Sequence, residues 1–141
     1  MRSSARGLVA ALLAAGGVLA SVSAQESQAD LCAVSIGRGA TAPGGATGSM
    51  TVRNVGRACR IVNFTVPEQR VATSRLEVVR APAQGRVVVL DPNVVAYSPN
   101  IGYTGPDEFQ YEGSGPGRDG RTIPFSVRIK VQVVDRKGPL R

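Results

Sequence analysis

Apolar and polar residues alternate with period two along most of the chain. Phe125, Val127, Ile129, Val131 and Val133 alternate with Ser126, Arg128, Lys130 and Gln132. That is the pattern of a strand with one face in a core and the other in water. Phe109 and Tyr111 alternate in the same way with Glu108, Gln110 and Glu112. Val62, Phe64 and Val66 stand between Ile61, Asn63 and Thr65 and read as the inward face of another strand. Val87 and Val89 alternate with Val88 and Leu90, all apolar, which predicts a strand buried on both faces. Shorter strands are expected at 31–36, 49–55, 75–80 and 94–98. Beyond residue 24 no segment sustains a helical repeat. Turn-forming residues separate the runs at 37–48, 82–85, 91–93, 99–106 and 113–120. Short strands with turn signals every 8 to 14 residues or so predict a sandwich or a barrel. They form one domain over residues 25–141, whose end, 135–141, reads as a fraying basic tail.

The first 24 residues follow a different rule. Arg2 and Arg6 precede an apolar stretch over 8–22, and Ser21-Val22-Ser23-Ala24 places small residues where a signal peptidase reads them. The apolar run is about 15 residues, short of the ~20 that span a bilayer. A signal peptide over 1–24, cleaved after Ala24, is therefore expected, leaving no stable membrane span. A lipid anchor on Cys32 is disfavoured by Asp30 and Leu31 before it, where small residues are required. The predicted location is secreted or periplasmic. In that setting two cysteines, Cys32 and Cys59, read as one disulfide, the alternative being two free thiols. A loop of about 28 residues closed in this way is worth about 3.5 kcal/mol in the chain-entropy model.

Composition narrows the chemistry. The 141 residues carry 17 Lys and Arg against 10 Asp and Glu, and no His, so the commonest general base and zinc ligand is missing. Glu108 and Glu112 lie four positions apart on one strand face, about 13 Å, too far for a paired-carboxylate hydrolase. The expectation is a protein that is not an enzyme. All basic residues but Lys130 and Lys137 are Arg, spread along the chain with few aromatics between them. This is not the footprint of a nucleic-acid binder; it suits a solvated surface with weak attraction to anionic glycans or lipid headgroups. The Gly-rich stretch Gly37 to Gly45 has no Lys after its last Gly and no following helix, so it reads as a flexible loop and not a phosphate loop. Asn63-Phe64-Thr65 is a glycosylation triplet set inside an expected strand.

The most specific motif is Tyr97-Ser98-Pro99-Asn100-Ile101-Gly102-Tyr103-Thr104-Gly105-Pro106-Asp107-Glu108-Phe109-Gln110-Tyr111. Pro99 ends a ladder, Asn100, Gly102 and Gly105 accept turn geometry, and Asp107 is placed to bond neighbouring amides. With Pro82-Ala83-Gln84-Gly85-Arg86-Val87 before it and Asp119-Gly120 after it, the stretch resembles the repeat unit of bacterial immunoglobulin-like, cadherin-like modules of large surface adhesins. The likeness covers about residues 80–134. It implies an all-β, immunoglobulin-like Greek-key β-sandwich of seven or eight strands. It also implies a non-catalytic binding or adhesion module of the cell envelope or extracellular space, whose partner is an envelope protein or an anionic glycan. The alternative is a structural or inhibitory domain acting on another exported protein, with a small hydrolase third. No cofactor is expected. Calcium would have only Asp107, Glu108 and Asp119 as weak candidate ligands, because Arg136 and Lys137 stand where a module junction would need acids. Tyr103 is the candidate partner contact, with packing beneath its turn as the other reading. The 100–106 turn is expected to matter more to a partner than the Gly-rich loop.

Overall fold

The computed structural model describes residues 27 to 140; the expected signal peptide, residues 1–24, lies outside them. The chain opens with one helical turn, α1 (Gln28–Leu31), absent from the strand pattern. Ser27 and Asp30 cap it reciprocally, each side chain accepting from the other's backbone N–H. Leu31 then drops into the core.

Ten strands follow: β1 (Cys32–Ile36), β2 (Ala46–Arg53), β3 (Cys59–Val62), β4 (Phe64–Val66), β5 (Val71–Ala72), β6 (Arg75–Arg80), β7 (Gly85–Asp91), β8 (Val94–Pro99), β9 (Gly105–Pro116) and β10 (Thr122–Val134). Eight of them make two sheets, in the orders β1-β2-β10-β9-β6 and β3-β8-β7, and β4 and β5 pair as a small ladder. All pairings are antiparallel except β2 with β10. The fold is an all-β sandwich. β10 lies at the centre of the larger sheet, so its Arg128, Lys130 and Gln132 form the middle of a wet face and do not guard an edge.

The core lies between the sheets. Phe109, Tyr111, Phe125, Val127, Ile129, Val131 and Val133 face Cys59, Ile61, Val95 and Tyr97 across it. Tyr97 stacks on Phe109 with ring centroids 5.6 Å apart, Phe109 on Tyr111 at 6.2 Å, and Tyr111 meets Phe125 edge-on at 6.4 Å. Two of these rings carry a hydroxyl into the interior, and each has an acceptor: Asn63 Oδ1 for Tyr111 and Asp107 Oδ2 for Tyr97, both at 2.7 Å.

Four local expectations are corrected. The run 61–66 is not one strand with Val62 and Phe64 inward. The chain breaks at Asn63, Ile61 and Asn63 are buried, and Val62 is exposed. The cause is the buried amide of Asn63, which accepts from Tyr111 and donates to the Ile61 carbonyl. The glycosylation triplet thus has its Asn turned inward. Residues 113–116 are strand and not turn. A side chain at Gly113 would lie 2.5 Å from the Phe125 ring, so glycine lets that ring cross the ladder. Finally, β7 is not buried on both faces: Val88, Val89 and Leu90 are exposed. Residues 135–138 also form a tied turn, with the Gly138 carbonyl accepting from Arg53 Nε at 2.9 Å.

Burial pushes the phenols of Tyr97 and Tyr111 far above the ordinary value of 10. For Tyr97 the hydrogen bond to Asp107 and the negative charge of that residue add to the effect of burial. Both rings are neutral in the fold. Their contribution is fully present below the unfolded value and declines as pH rises beyond it. Each phenol should cost up to about 1.4 kcal/mol of stability per pH unit above pH ~10. Urea melts at pH 9 and pH 11 should show this fall, and Tyr111→Phe should flatten it.

Candidate functional site

The connection from β6 to β7, Ala81 to Gln84, and the turn from Asn100 to Thr104 meet at one end of the sandwich. Asp107 anchors the first of them to β8 and β9. Its Oδ1 accepts from Ala83 N at 3.0 Å and Glu108 N at 2.9 Å; its Oδ2 accepts from Gln84 N at 3.1 Å and the Tyr97 hydroxyl. The residue therefore organises its own strand start, as the motif suggested, and also the distant 83–84 connection. Gly85 belongs to the same unit, since a Cβ there would lie 2.8 Å from the Tyr97 ring. Asn100 N donates to the Gln84 carbonyl at 2.9 Å, and Asn54 Nδ2 donates to the carbonyls of Asn100 and Tyr103 at 2.8 and 2.9 Å. These bonds fix where β7 begins and where the 100–106 turn points.

The predicted site residues are not brought together. Asp107 and Glu108 face opposite sides of the larger sheet, as successive strand residues must. Glu108 lies on the wet face, 3.3 Å from Arg80 and 3.9 Å from Arg128. Asp119 sits in the turn after β9, where its side chain accepts from Arg121 N and pairs with the Arg121 guanidinium. Among the described residues no three His, Cys, Asp or Glu side chains gather around a metal-sized space. Tyr103 is half-buried against the core, and its hydroxyl donates to the Pro106 carbonyl. The exposed apolar side chain of that turn is Ile101, completely open to water. Cys32 and Cys59 are joined, with Cα atoms 6.0 Å apart.

A sandwich has four sheet edges, and here they differ. The edges β1 and β3 are stapled by the disulfide, and α1 packs on both. The edge β6 carries Arg75, Glu77 and Arg80 and a bulge between Val78 and Arg80. Charge of this kind blunts an edge against further pairing; a bulge also occurs in β7, between Val89 and Asp91. The fourth edge, β7, pairs only with β8 among the described residues. Between Arg86 and Asp91 it offers Val87, Val88, Val89 and Leu90, the last three 38–48% exposed. Val87 and Val89 lie on the core side, opposite Tyr97 and Val95, while Val88 lies on the outer side, opposite Ala96. Val79 of β6, also exposed, adds to the apolar surface on this flank, and Ile101 stands beyond the end of β7 that is fixed by the Asp107 bonds. The sequence showed the apolar run but not its edge position, which depends on strand order.

The wet face of the larger sheet is mostly polar at its centre, with Thr47, Ser49, Arg128, Lys130, Gln132, Glu108 and Gln110. A shallow concavity of about 720 Å³ near Arg80, Gln84 and Lys130 continues it. Glu108 neutralises part of its positive charge.

No family model matches this chain, and neither a curated protein nor a solved structure does. The disulfide is consistent with an extracellular or periplasmic protein. Among the described residues no helix is long and apolar enough to cross a membrane.

Proposed function

We propose that this is an exported, non-catalytic binding module whose partner is another exported protein. The partner adds an extended segment to the free edge of β7. One observation carries this reading: β7 combines unpaired backbone groups with three consecutive exposed apolar side chains, while the other three edges are stapled or charged. Strand addition draws affinity from main-chain hydrogen bonds and specificity from alternate side chains. Ile101 is placed to extend the contact beyond the strand. The 100–106 turn therefore retains its importance, with Ile101 in the contact and Tyr103 as its support. The immunoglobulin-like, cadherin-like resemblance supports the same class of function. An anionic glycan on the face of Arg128 and Lys130 is the second reading, favoured by the exposure of those two side chains.

The test is a comparative pull-down from an envelope extract. The mature domain, Val88→Lys with Leu90→Lys, Ile101→Ser, and Lys130→Glu are used side by side. All four positions are exposed or nearly so, and the variants should fold. Capture of a partner by wild type and Lys130→Glu, with at least tenfold less by the edge variant, is the expected result. Equal capture by the edge variant, with loss in Lys130→Glu, would move the site to the wet face.

A further inference from the structure

Opposite the β6–β7 flank the two sheets separate. β1 and β3 both start at the disulfide, Cys32 and Cys59 being their first residues, and run away from it. Between their far ends, Ile36 and Val62, lies a cleft of about 480 Å³. That volume is in the range of small-molecule sites, about 300–1,000 Å³. Its floor is Phe125 and Val127 from the inner face of β10, and Phe64 closes one side. The Gly-rich connection from Gly37 to Thr41 forms another wall. It is held in place by Ser126 N donating to the Ala40 carbonyl at 2.9 Å and Gly37 N donating to the Thr47 carbonyl at 3.1 Å.

The charge at this cleft has one sign. Arg38 is its only charged lining residue, and no carboxylate pairs with it among the described residues. The Arg70 guanidinium lies over Phe64, one of the lining residues, 5.3 Å from the centre of its ring. Arg70 is held there by a left-handed backbone, φ 52°, with its N–H donating to the Pro67 carbonyl. Glu68, the acid of the adjoining turn, is paired with Arg118. Exposed Ile36 and Val62 at the rim lead to nearly buried Phe125 and Val127 at the floor.

We propose that this cleft binds a single-chain anionic amphiphile, its acyl chain between the sheets and its head group at Arg38 and Arg70. A cleft floored by apolar side chains, with Arg38 as its only charged lining residue, matches that division of chemistry in one ligand. A neutral chain would forgo the rim, and a cationic one would be repelled by it. The site is independent of the β7 edge, which lies on the other flank.

Dodecanoate below its micelle concentration is the probe, and isothermal titration with NMR shift mapping is the readout. Saturable binding to the folded mature domain is expected, with shifts centred on Ile36, Val62, Phe64 and Phe125. Arg38→Glu should weaken it at least fivefold. Val62→Asp, at a position already exposed to water, should weaken it at least tenfold with an unchanged melting temperature. Dodecyltrimethylammonium should bind more weakly than dodecanoate to wild type, and the β7 variants should bind dodecanoate as wild type does. Absence of saturable binding, equal affinity in the Arg38 and Val62 variants, or shifts confined to β7 would overturn the proposal. So would binding to phosphatidylglycerol vesicles without binding of dodecanoate.

Discussion

Asp107→Ala should lower the unfolding free energy by about 3 kcal/mol, well above the ~1 kcal/mol of a single local hydrogen bond. The carboxylate accepts from three backbone amides and one tyrosine hydroxyl. The two amides of the 83–84 connection can regain water when it is removed. The Tyr97 hydroxyl lies deeper, on a ring with no exposed surface, and loses most. Asp107→Asn should cost roughly half as much, because one oxygen remains while the amide nitrogen meets donors where it would need acceptors. Urea denaturation of the three proteins measures this. A loss below 1 kcal/mol or so for the alanine variant would mean that the connection and turn are held by other contacts. Added chelator should leave the wild-type melting temperature unchanged, since every Asp107 oxygen already has two donors. A fall of many degrees would restore Asp107 as a cation ligand.

Opening the Cys32–Cys59 bridge should cost about 3.5 kcal/mol, the chain-entropy value for its loop. The bond joins the edges of the two sheets where α1 also packs, so its loss also frees the entry of β1. Cys32→Ala with Cys59→Ala should melt well below the oxidised protein, and reduced wild type should match the double variant. A double variant as stable as wild type would show that the core alone holds the two edges together. A stable protein in which both thiols can be alkylated without reduction would contradict the bridge itself.

Much of this architecture was legible in the order of residues. The inward faces of β9 and β10 follow directly from Phe109, Tyr111 and the Phe125–Val133 alternation, because each strand has one wet face and one dry one. The disulfide followed from two cysteines in a chain expected to be exported. The partnership of Asp107 with the 83–84 connection did not. Its amide donors lie more than twenty residues earlier, and only the stacking of the two sheets brings them near. Asn63 misled the reading of 61–66 for a related reason. A polar side chain normally marks the wet face, but this one is buried to receive the Tyr111 hydroxyl. The capping pair Ser27 and Asp30 was readable in principle, yet one helical turn leaves no hydrophobic repeat to support it. β7 is the most instructive case. Four consecutive apolar residues fit a strand covered on both sides, and equally a strand with a missing neighbour. Only strand order separates these possibilities.

Amide hydrogen exchange across β7 tests the binding account most directly. In the free mature domain, alternate amides between Arg86 and Leu90 should exchange rapidly, because their N–H groups face outward from an unpaired edge. With the captured partner bound, those amides should become slow, while the wet face of β2 and β10 stays as it was. Slowing confined to that wet face or to the Gly-rich connection, with β7 exchanging as in the free domain, would contradict strand addition at this edge.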